Sequence, residues 1–121
     1  MTGLLLSDDL IFTSRVTGTG RDLGFVIRFA RAPEALLNLA REESPACVIV
    51  DLSNPGLNIN EFVAALKQLS PTPNVIAYGS HIDVATLKAA RAAGCDLVMP
   101  RSQFVEALPR DLAAWMTPAA G

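Results

Sequence analysis

The chain has 121 residues, of which 50% are hydrophobic, and its formal net charge is −2 at pH 7. This length predicts a single domain over residues 1–121 with enough apolar residues for a packed core. The charge excludes a basic surface for nucleic acid. The opening residues, MTGLLLSDDL, contain only a short apolar run, which predicts neither a signal peptide nor a membrane span.

The two cysteines, Cys47 and Cys95, are far apart in the sequence, and the chain has one histidine. These numbers argue against a zinc site with the usual four ligands. Both cysteines lie in apolar stretches, as free buried thiols commonly do. We therefore expect a reducing, cytoplasmic setting.

Short apolar runs alternate with helical patterns along the whole chain. The apolar runs predict strands at residues 3–7, 24–29, 47–50, 75–78 and 96–99. The segments between them predict helices at residues 9–16, 33–43, 60–69 and 82–93, and a last helix from 102 or 103 to 116. Because the strands are apolar on both faces, we expect an α/β fold with a doubly wound, five-stranded parallel sheet between two helical layers.

Three local patterns predict where helices end or begin. The segment Thr17-Gly18-Thr19-Gly20 is interpreted as the end of the first helix, since a dinucleotide loop would lie between a strand and a helix, in that order. Ser80 and Asp83 have the spacing of a capping box. Pro109 is expected to bend or break the last helix.

Acidic residues fall where functional sites form in doubly wound sheets, at the carboxyl ends of the strands. Asp8 and Asp9 follow the first strand, and Asp51 ends the third. We expect the sheet to bring these carboxylates together, where a cation such as Mg²⁺ would relieve their repulsion. Two other interpretations stay open: Asp8 or Asp9 caps the first helix, and Asp51 is a turn residue.

Three segments carry the acids and the residues around them: Leu-Leu-Leu-Ser-Asp-Asp at 4–9, Val-Ile-Val-Asp-Leu-Ser-Asn-Pro-Gly at 48–56, and Ala-Ala-Gly-Cys-Asp-Leu-Val-Met-Pro-Arg at 92–101. Together they resemble a response-regulator receiver domain, which has a flavodoxin-like (βα)5 fold. The resemblance covers roughly residues 3–116. It implies a bacterial, non-enzymatic signalling protein in which Asp51 accepts a phosphoryl group from a histidine kinase or a phosphotransfer protein. It also implies Mg²⁺ held by Asp8, Asp9 and Asp51, with a backbone carbonyl from Ser53.

The chain departs from the receiver pattern where the family switches conformation. Gly79 matches the position of a switch Thr or Ser, and Val98 matches an aromatic switch residue. Arg101 stands for the family's lysine, and Ser102 stands for the proline after it. These changes predict a degenerate receiver whose phosphorylation is weakly coupled to conformation.

Three functions therefore compete. One is a stand-alone phosphorelay receiver, and another is a pseudo-receiver that binds signalling proteins without phosphorylation. In either case the fourth helix, fifth strand and fifth helix would form a partner or homodimer face, with Leu87, Lys88, Arg91 and Arg101 on it. A small enzyme on the same fold is the third, but the sequence has no evident nucleophile–base pair and no glycine-rich phosphate loop.

Overall fold

The structure is a computed structural model that describes residues 1–117, and within them five parallel strands form one sheet. The strands are β1 (Thr2–Leu6), β2 (Val26–Ala30), β3 (Cys47–Asp51), β4 (Asn74–Gly79) and β5 (Leu97–Pro100). The helices are α1 (Leu10–Asp22), α2 (Pro33–Glu43), α3 (Ile59–Lys67), α4 (Val84–Ala93) and α5 (Arg101–Trp115). The strand order β2-β1-β3-β4-β5 confirms the predicted doubly wound fold.

Two apolar layers cover the sheet, because alternate residues of each strand point to opposite faces. Leu5 and Ile49 pack with α1 and α5, together with Trp115 and Met116 from the end of the chain's last helix. Leu4, Leu6, Val48 and Val50 pack on the other face with α2, α3 and α4. No helix within residues 1–117 is long and apolar enough to cross a membrane.

The prediction that every strand is buried on both faces is correct for the centre of the sheet and wrong for its edges. All five residues of β3 are buried, whereas three of the five in β2 are exposed. The edge strand β5 is similar, and Leu97 on it is 44% exposed. An edge strand has a neighbour on one side only, so the helical layers cover less of it.

The first helix runs further than the sequence predicts. α1 continues through Gly18 and Gly20 to Asp22, so the interpretation of this segment as a helix end is wrong. A Cβ at residue 20 would lie 2.5 Å from Cγ1 of Ile27 on β2. The glycine at 20 therefore lets α1 approach the sheet closely, rather than ending the helix.

The predicted capping box at the start of the fourth helix is also wrong. Asp83 itself is the N-cap of α4, and its carboxylate accepts hydrogen bonds from the backbone N–H and the hydroxyl of Thr86. The helix therefore begins at Val84, two residues later than expected. Ser80 instead accepts a hydrogen bond from the Ile82 N–H in the preceding turn.

The last helix is continuous from Arg101 to Trp115, so Pro109 does not break it. Pro109 is exposed, so the helix carries its proline on the side that faces solvent. The helix begins at Arg101, directly after Pro100, the last residue of β5. No connecting loop separates Arg101 from the end of β5.

The two glycines inside α1 allow a matched test of the close packing. Gly20→Ala is expected to lower the free energy of unfolding by about 1–3 kcal/mol, because the added methyl collides with the stiff, β-branched Ile27. Gly18→Ala is expected to raise it by about 0.5–1 kcal/mol, since a Cβ there meets nothing within 4 Å and alanine favours the helix. Urea unfolding of both variants measures the difference, and equal effects would contradict the packing argument.

Candidate functional site

Ser7, Asp51 and Tyr78 lie side by side at the carboxyl edge of the sheet. Asp51 is the direct register partner of Tyr78 on β4. On the other side, Leu6 pairs with Val50, which places Ser7 next to Asp51. Neighbouring residues of a parallel sheet point to the same face, so these three side chains form a row on the face that α1 and α5 cover.

Hydrogen bonds from neutral groups hold the Asp51 carboxylate. The Ser7 hydroxyl donates to Oδ2 at 3.0 Å. The backbone N–H and the hydroxyl of Ser53 donate to Oδ1 at 2.9 and 2.6 Å. Asp51 is only 3% exposed, and protein donors reach both of its carboxylate oxygens.

Asp9 belongs to a different set of contacts. Its Oδ1 accepts the Phe12 N–H at 3.0 Å and caps α1, as the alternative interpretation from the sequence predicts. Its Oδ2 forms a 2.9 Å ion pair with Arg101. The Phe12 hydrogen bond, followed by the Arg101 hydrogen bond, lowers the pKa of Asp9 below the ordinary 3.8.

The Arg101 guanidinium is held from two directions. Besides the ion pair with Asp9, it lies over the Phe12 ring, with its carbon 4.2 Å from the ring centroid. The centroid of Tyr78 is 6.0 Å away. The flat cation is therefore attracted by the π-face of Phe12 as well as by the carboxylate.

Two adjoining cavities meet at Arg101 and Ser102. One, of about 320 Å³, is lined by Asp51, Ser53, Tyr78, Gly79, Ser80, His81, Arg101 and Ser102. The other, of about 580 Å³, is lined by Asp9, Ile11, Phe12, Arg15, Arg101, Ser102 and Val105. Asp51 and Asp9 thus face different cavities, and Arg101 lies between them.

Tyr78 carries a buried hydroxyl that has no hydrogen-bond partner within residues 1–117. The residue is 1% exposed, and its ring stacks on Phe104 with centroids 4.6 Å apart. Burial, and then the charge of Asp51, raise the pKa of the phenol well above its ordinary value. The phenol therefore stays protonated beside Asp51 and Ser7.

The residues proposed for a magnesium site do not fit one in this arrangement. Both oxygens of Asp9 are engaged by the helix cap and by Arg101, and Asp51 is held by serine donors. Asp8 is exposed and makes no hydrogen bond to the rest of residues 1–117. Across the same residues, no three His, Cys, Asp or Glu side chains are close enough to hold a metal ion. Asp8, Asp9 and Asp51 therefore do not form a metal-binding group in this arrangement, and the magnesium site that the resemblance implies stays a prediction.

The positions assigned to the family's switch have mostly apolar surroundings. A Cβ at Gly79 would lie 3.4 Å from Leu52 and Leu87, on the opposite face of the sheet from Asp51. Val98 is half-buried against the apolar layer of α2, α3 and α4. Ser102 is exposed in the first turn of α5 and lines both cavities.

The face made by α4, β5 and α5 differs from its predicted composition. Leu87 is 6% exposed and belongs to the core, so placing it on a partner surface is wrong. Lys88 and Arg91 are exposed, as expected. The apolar residues that this face offers instead are Val84 and Leu97.

Sequence reasoning missed Ser7 and Tyr78. The sequence does contain a signal for these two residues. The apolar runs Leu-Leu-Leu, Val-Ile-Val and Val-Ile-Ala each end close to the carboxyl edge of the sheet. Aligning those ends places the next residue of each run, Ser7, Asp51 and Tyr78, in one row. The acids after the first strand attracted attention because of their charge, although the sheet ends before it reaches them.

The two serine contacts to Asp51 are predicted to differ in strength. Ser7→Ala is expected to lower the free energy of unfolding by about 1–3 kcal/mol, since buried Oδ2 loses its donor. Ser53→Ala is expected to cost less, because the Ser53 N–H still donates to Oδ1. Urea unfolding of the two variants decides the matter, and a larger loss for Ser53→Ala would contradict the assignment.

The depressed pKa of Asp9 predicts a pH-dependent contribution to stability. An acid whose pKa is lower in the folded state stabilises the fold above its unfolded pKa of 3.8, and this contribution is lost as the pH falls through the folded value. Asp9→Asn keeps a capping side chain but removes the charge. The stability difference between wild type and Asp9→Asn is therefore expected to shrink from pH 6 to pH 2.5, which is from about two units above the ordinary pKa to about one unit below it. A difference that does not change with pH would show that the charge is not involved.

The chain is similar to known proteins in its sequence and in its fold. No protein-family model matches the sequence. The transcriptional activator protein ExaE from Pseudomonas putida is 30% identical over 96 residues, which cover 76% of this chain and 44% of the relative. The chain therefore spans less than half the length of that protein.

Solved receiver domains match the fold over nearly the whole chain. The receiver domain of NtrX from Brucella abortus has a TM-score of 0.80 and 18% identity, with 94% of this chain and 97% of that chain covered. The receiver domain of the sensor histidine kinase PA1611 from Pseudomonas aeruginosa PAO1, solved with a magnesium ion in its active-site cleft, has a TM-score of 0.80 and 15% identity, with 95% and 96% covered. The chain has the fold of response-regulator receiver domains.

Proposed function

We propose that the chain is a pseudo-receiver: a receiver-fold module that binds other signalling proteins without metal-dependent phosphorylation of Asp51. The observation that carries this proposal is the engagement of the acids, with Asp51 held by Ser7 and Ser53 and Asp9 held by Phe12 and Arg101. Both oxygens of Asp51 and both oxygens of Asp9 therefore have partners within the protein.

The chemistry of phosphoryl transfer explains why this arrangement favours binding over catalysis. A carboxylate that attacks phosphorus needs a free oxygen, and the developing charge on the phosphoryl oxygens needs a positioned cation. A carboxylate has about four lone-pair sites, and three of those of Asp51 already accept hydrogen bonds, two at Oδ1 and one at Oδ2. The nearby cation, Arg101, is paired with Asp9 rather than with Asp51.

The exposed face of α4 and β5 supports an interaction role. Val84 is 65% exposed and Leu97 is 44% exposed, while Lys88 and Arg91 add positive charge nearby. A partner with apolar groups and acidic residues would complement this surface. The identity of the partner stays a prediction, whether it is a histidine kinase, a phosphotransfer protein, another signalling protein or a second copy of the chain. A cytoplasmic location also stays a prediction.

A second candidate, a phosphoacceptor receiver, is favoured by one observation. Asp51 shares its cavity with Arg101 and Ser53, and the space of about 320 Å³ is ample for a phosphoryl group. In this case Asp51 is the acceptor, Arg101 serves in place of the family's lysine, and Mg²⁺ would require Asp8 and Asp9 to rearrange. Action without an output domain also stays a prediction, since the chain spans 44% of its curated relative.

Nuclear magnetic resonance of the backbone amides separates the two candidates. With Mg²⁺ and beryllofluoride or acetyl phosphate at millimolar concentration, the pseudo-receiver is expected to show no saturable change at Asp51, Ser53 or Gly79. Asp51→Asn is the matched control, because it nearly preserves the shape of the side chain. Saturable changes in the wild type that are absent from Asp51→Asn would overturn the proposal and establish the phosphoacceptor.

A further inference from the structure

We infer that the chain pairs with a second copy of itself through α2, with the two copies of this helix antiparallel. The interface contains two equivalent ion pairs, in which Glu34 of each copy meets Arg41 of the other. It goes beyond the proposed function, because it depends neither on Asp51 nor on any other signalling protein.

Glu34, Leu37 and Arg41 form one row along the outer side of α2. Their spacings of three and four residues place them on one face of the helix. The seven positions from Glu34 to Arg41 correspond to two turns, or about 10.5 Å along the helix axis. Glu34 and Arg41 are exposed, and Leu37 between them is partly exposed. The row therefore has an acid at one end, a base at the other and an apolar residue between them.

The row lines a cavity between α2 and α3 in which the charges are arranged in the same way. The cavity has a volume of about 380 Å³, and Phe62, which is 2% exposed, contributes to its wall. Glu61 lines it from the first turn of α3, while Glu34 lies in the first turn of α2 and Arg41 in its last. Both helices follow strands of one parallel sheet, so their first turns lie at the same edge of the sheet. The two acids thus share one end of the cavity, and Arg41 lies at the other.

The charged groups of this cavity take part in no ion pair within residues 1–117. The ion pairs of this part of the chain leave out Glu34, Glu61 and Arg41. Arg41 donates one side-chain hydrogen bond, from Nη1 to Asn38 on the same helix at 3.0 Å. A guanidinium has five N–H donors, so Arg41 can also bind a carboxylate of another molecule.

The arrangement of the row favours a second copy over other occupants. A two-fold axis midway between Glu34 and Arg41 makes two copies of α2 antiparallel, so that each Glu34 lies beside an Arg41 and the two Leu37 side chains meet near the axis. A segment with charges of one sign would match one end of the row and repel the other. Because α2 has 11 residues, the contact area is small, and we expect a weak, reversible dimer.

Reversal of the charges, followed by sedimentation equilibrium at protein concentrations up to about 1 mM, tests the inference. The wild type is expected to self-associate, and less strongly at high salt, because salt screens the ion pairs. Glu34→Arg and Arg41→Glu are each expected to weaken self-association at least about tenfold. Two-fold symmetry makes either change place like charges together at both contacts.

Mixing the two variants distinguishes this interface from a general effect of charge. Glu34→Arg leaves two bases in the row and Arg41→Glu leaves two acids, so the mixture is expected to associate although each variant alone associates weakly. The chain that carries both changes is expected to self-associate like the wild type. Glu42→Arg is the matched control, because Glu42 is exposed on α2 but does not line the cavity, and it is expected to behave like the wild type.

The neutral variants Glu34→Gln and Arg41→Gln replace a reversed variant that does not fold, and each is expected to weaken self-association. A wild type that stays monomeric, a mixture that does not associate, or an equal loss in Glu42→Arg would each overturn the inference. Self-association that survives every change at Glu34 and Arg41 would place the dimer on another face and would overturn it too. The pseudo-receiver proposal would stand in all these cases, because its test follows amides near Asp51 rather than the oligomeric state.

Discussion

The Ser7 hydroxyl joins the ends of β1 and β3, and the arrangement of the acidic edge follows from this contact. It donates to Asp51 and accepts the Asp9 N–H at 3.2 Å. The strand register places a neutral residue, Ser7, beside Asp51. Asp8 and Asp9, in the loop after β1, therefore lie beyond the end of the sheet. Asp9 then falls at the N-cap of α1, where its carboxylate satisfies a helix N–H group instead of facing Asp51.

Two acidic residues in neighbouring cavities are consequently satisfied by different means. Asp51 is buried and surrounded by hydroxyl and amide donors, which stabilise a carboxylate without a formal counter-charge. Asp9 is more exposed and pairs with a cation. Because each acid has its own partners, Asp9 and Asp51 do not join a common metal-binding group within residues 1–117. Arg101 can therefore remain on the Asp9 side while it lines the cavity of Asp51.

The sequence was sufficient to predict the architecture, because the alternation of apolar runs and amphipathic segments leaves few other packings. It failed where a local signal competes with tertiary contact. Glycine usually ends a helix, but Gly20 lies within α1 because Ile27 needs the space. The prediction of the site was incomplete for a related reason. Charge drew attention to Asp8 and Asp9, but Ser7 lies between the end of β1 and Asp8 and takes the position at the edge of the sheet. That offset depends on strand register, and a single sequence without the aligned strand ends does not specify register.

The aromatic packing under the site bears on how the protein could transmit a signal. Tyr78 is stacked on Phe104, and Phe104 is stacked in turn on Trp115 with centroids 5.7 Å apart. Interlocked rings in a close-packed core do not turn without displacing their neighbours. A change at Asp51 would alter the shape of the protein only if it favoured a second packing of these rings. Val98, a half-buried aliphatic residue, offers no large ring that could move between the surface and the core. This close ring packing is an argument for the proposed recognition through a preformed surface.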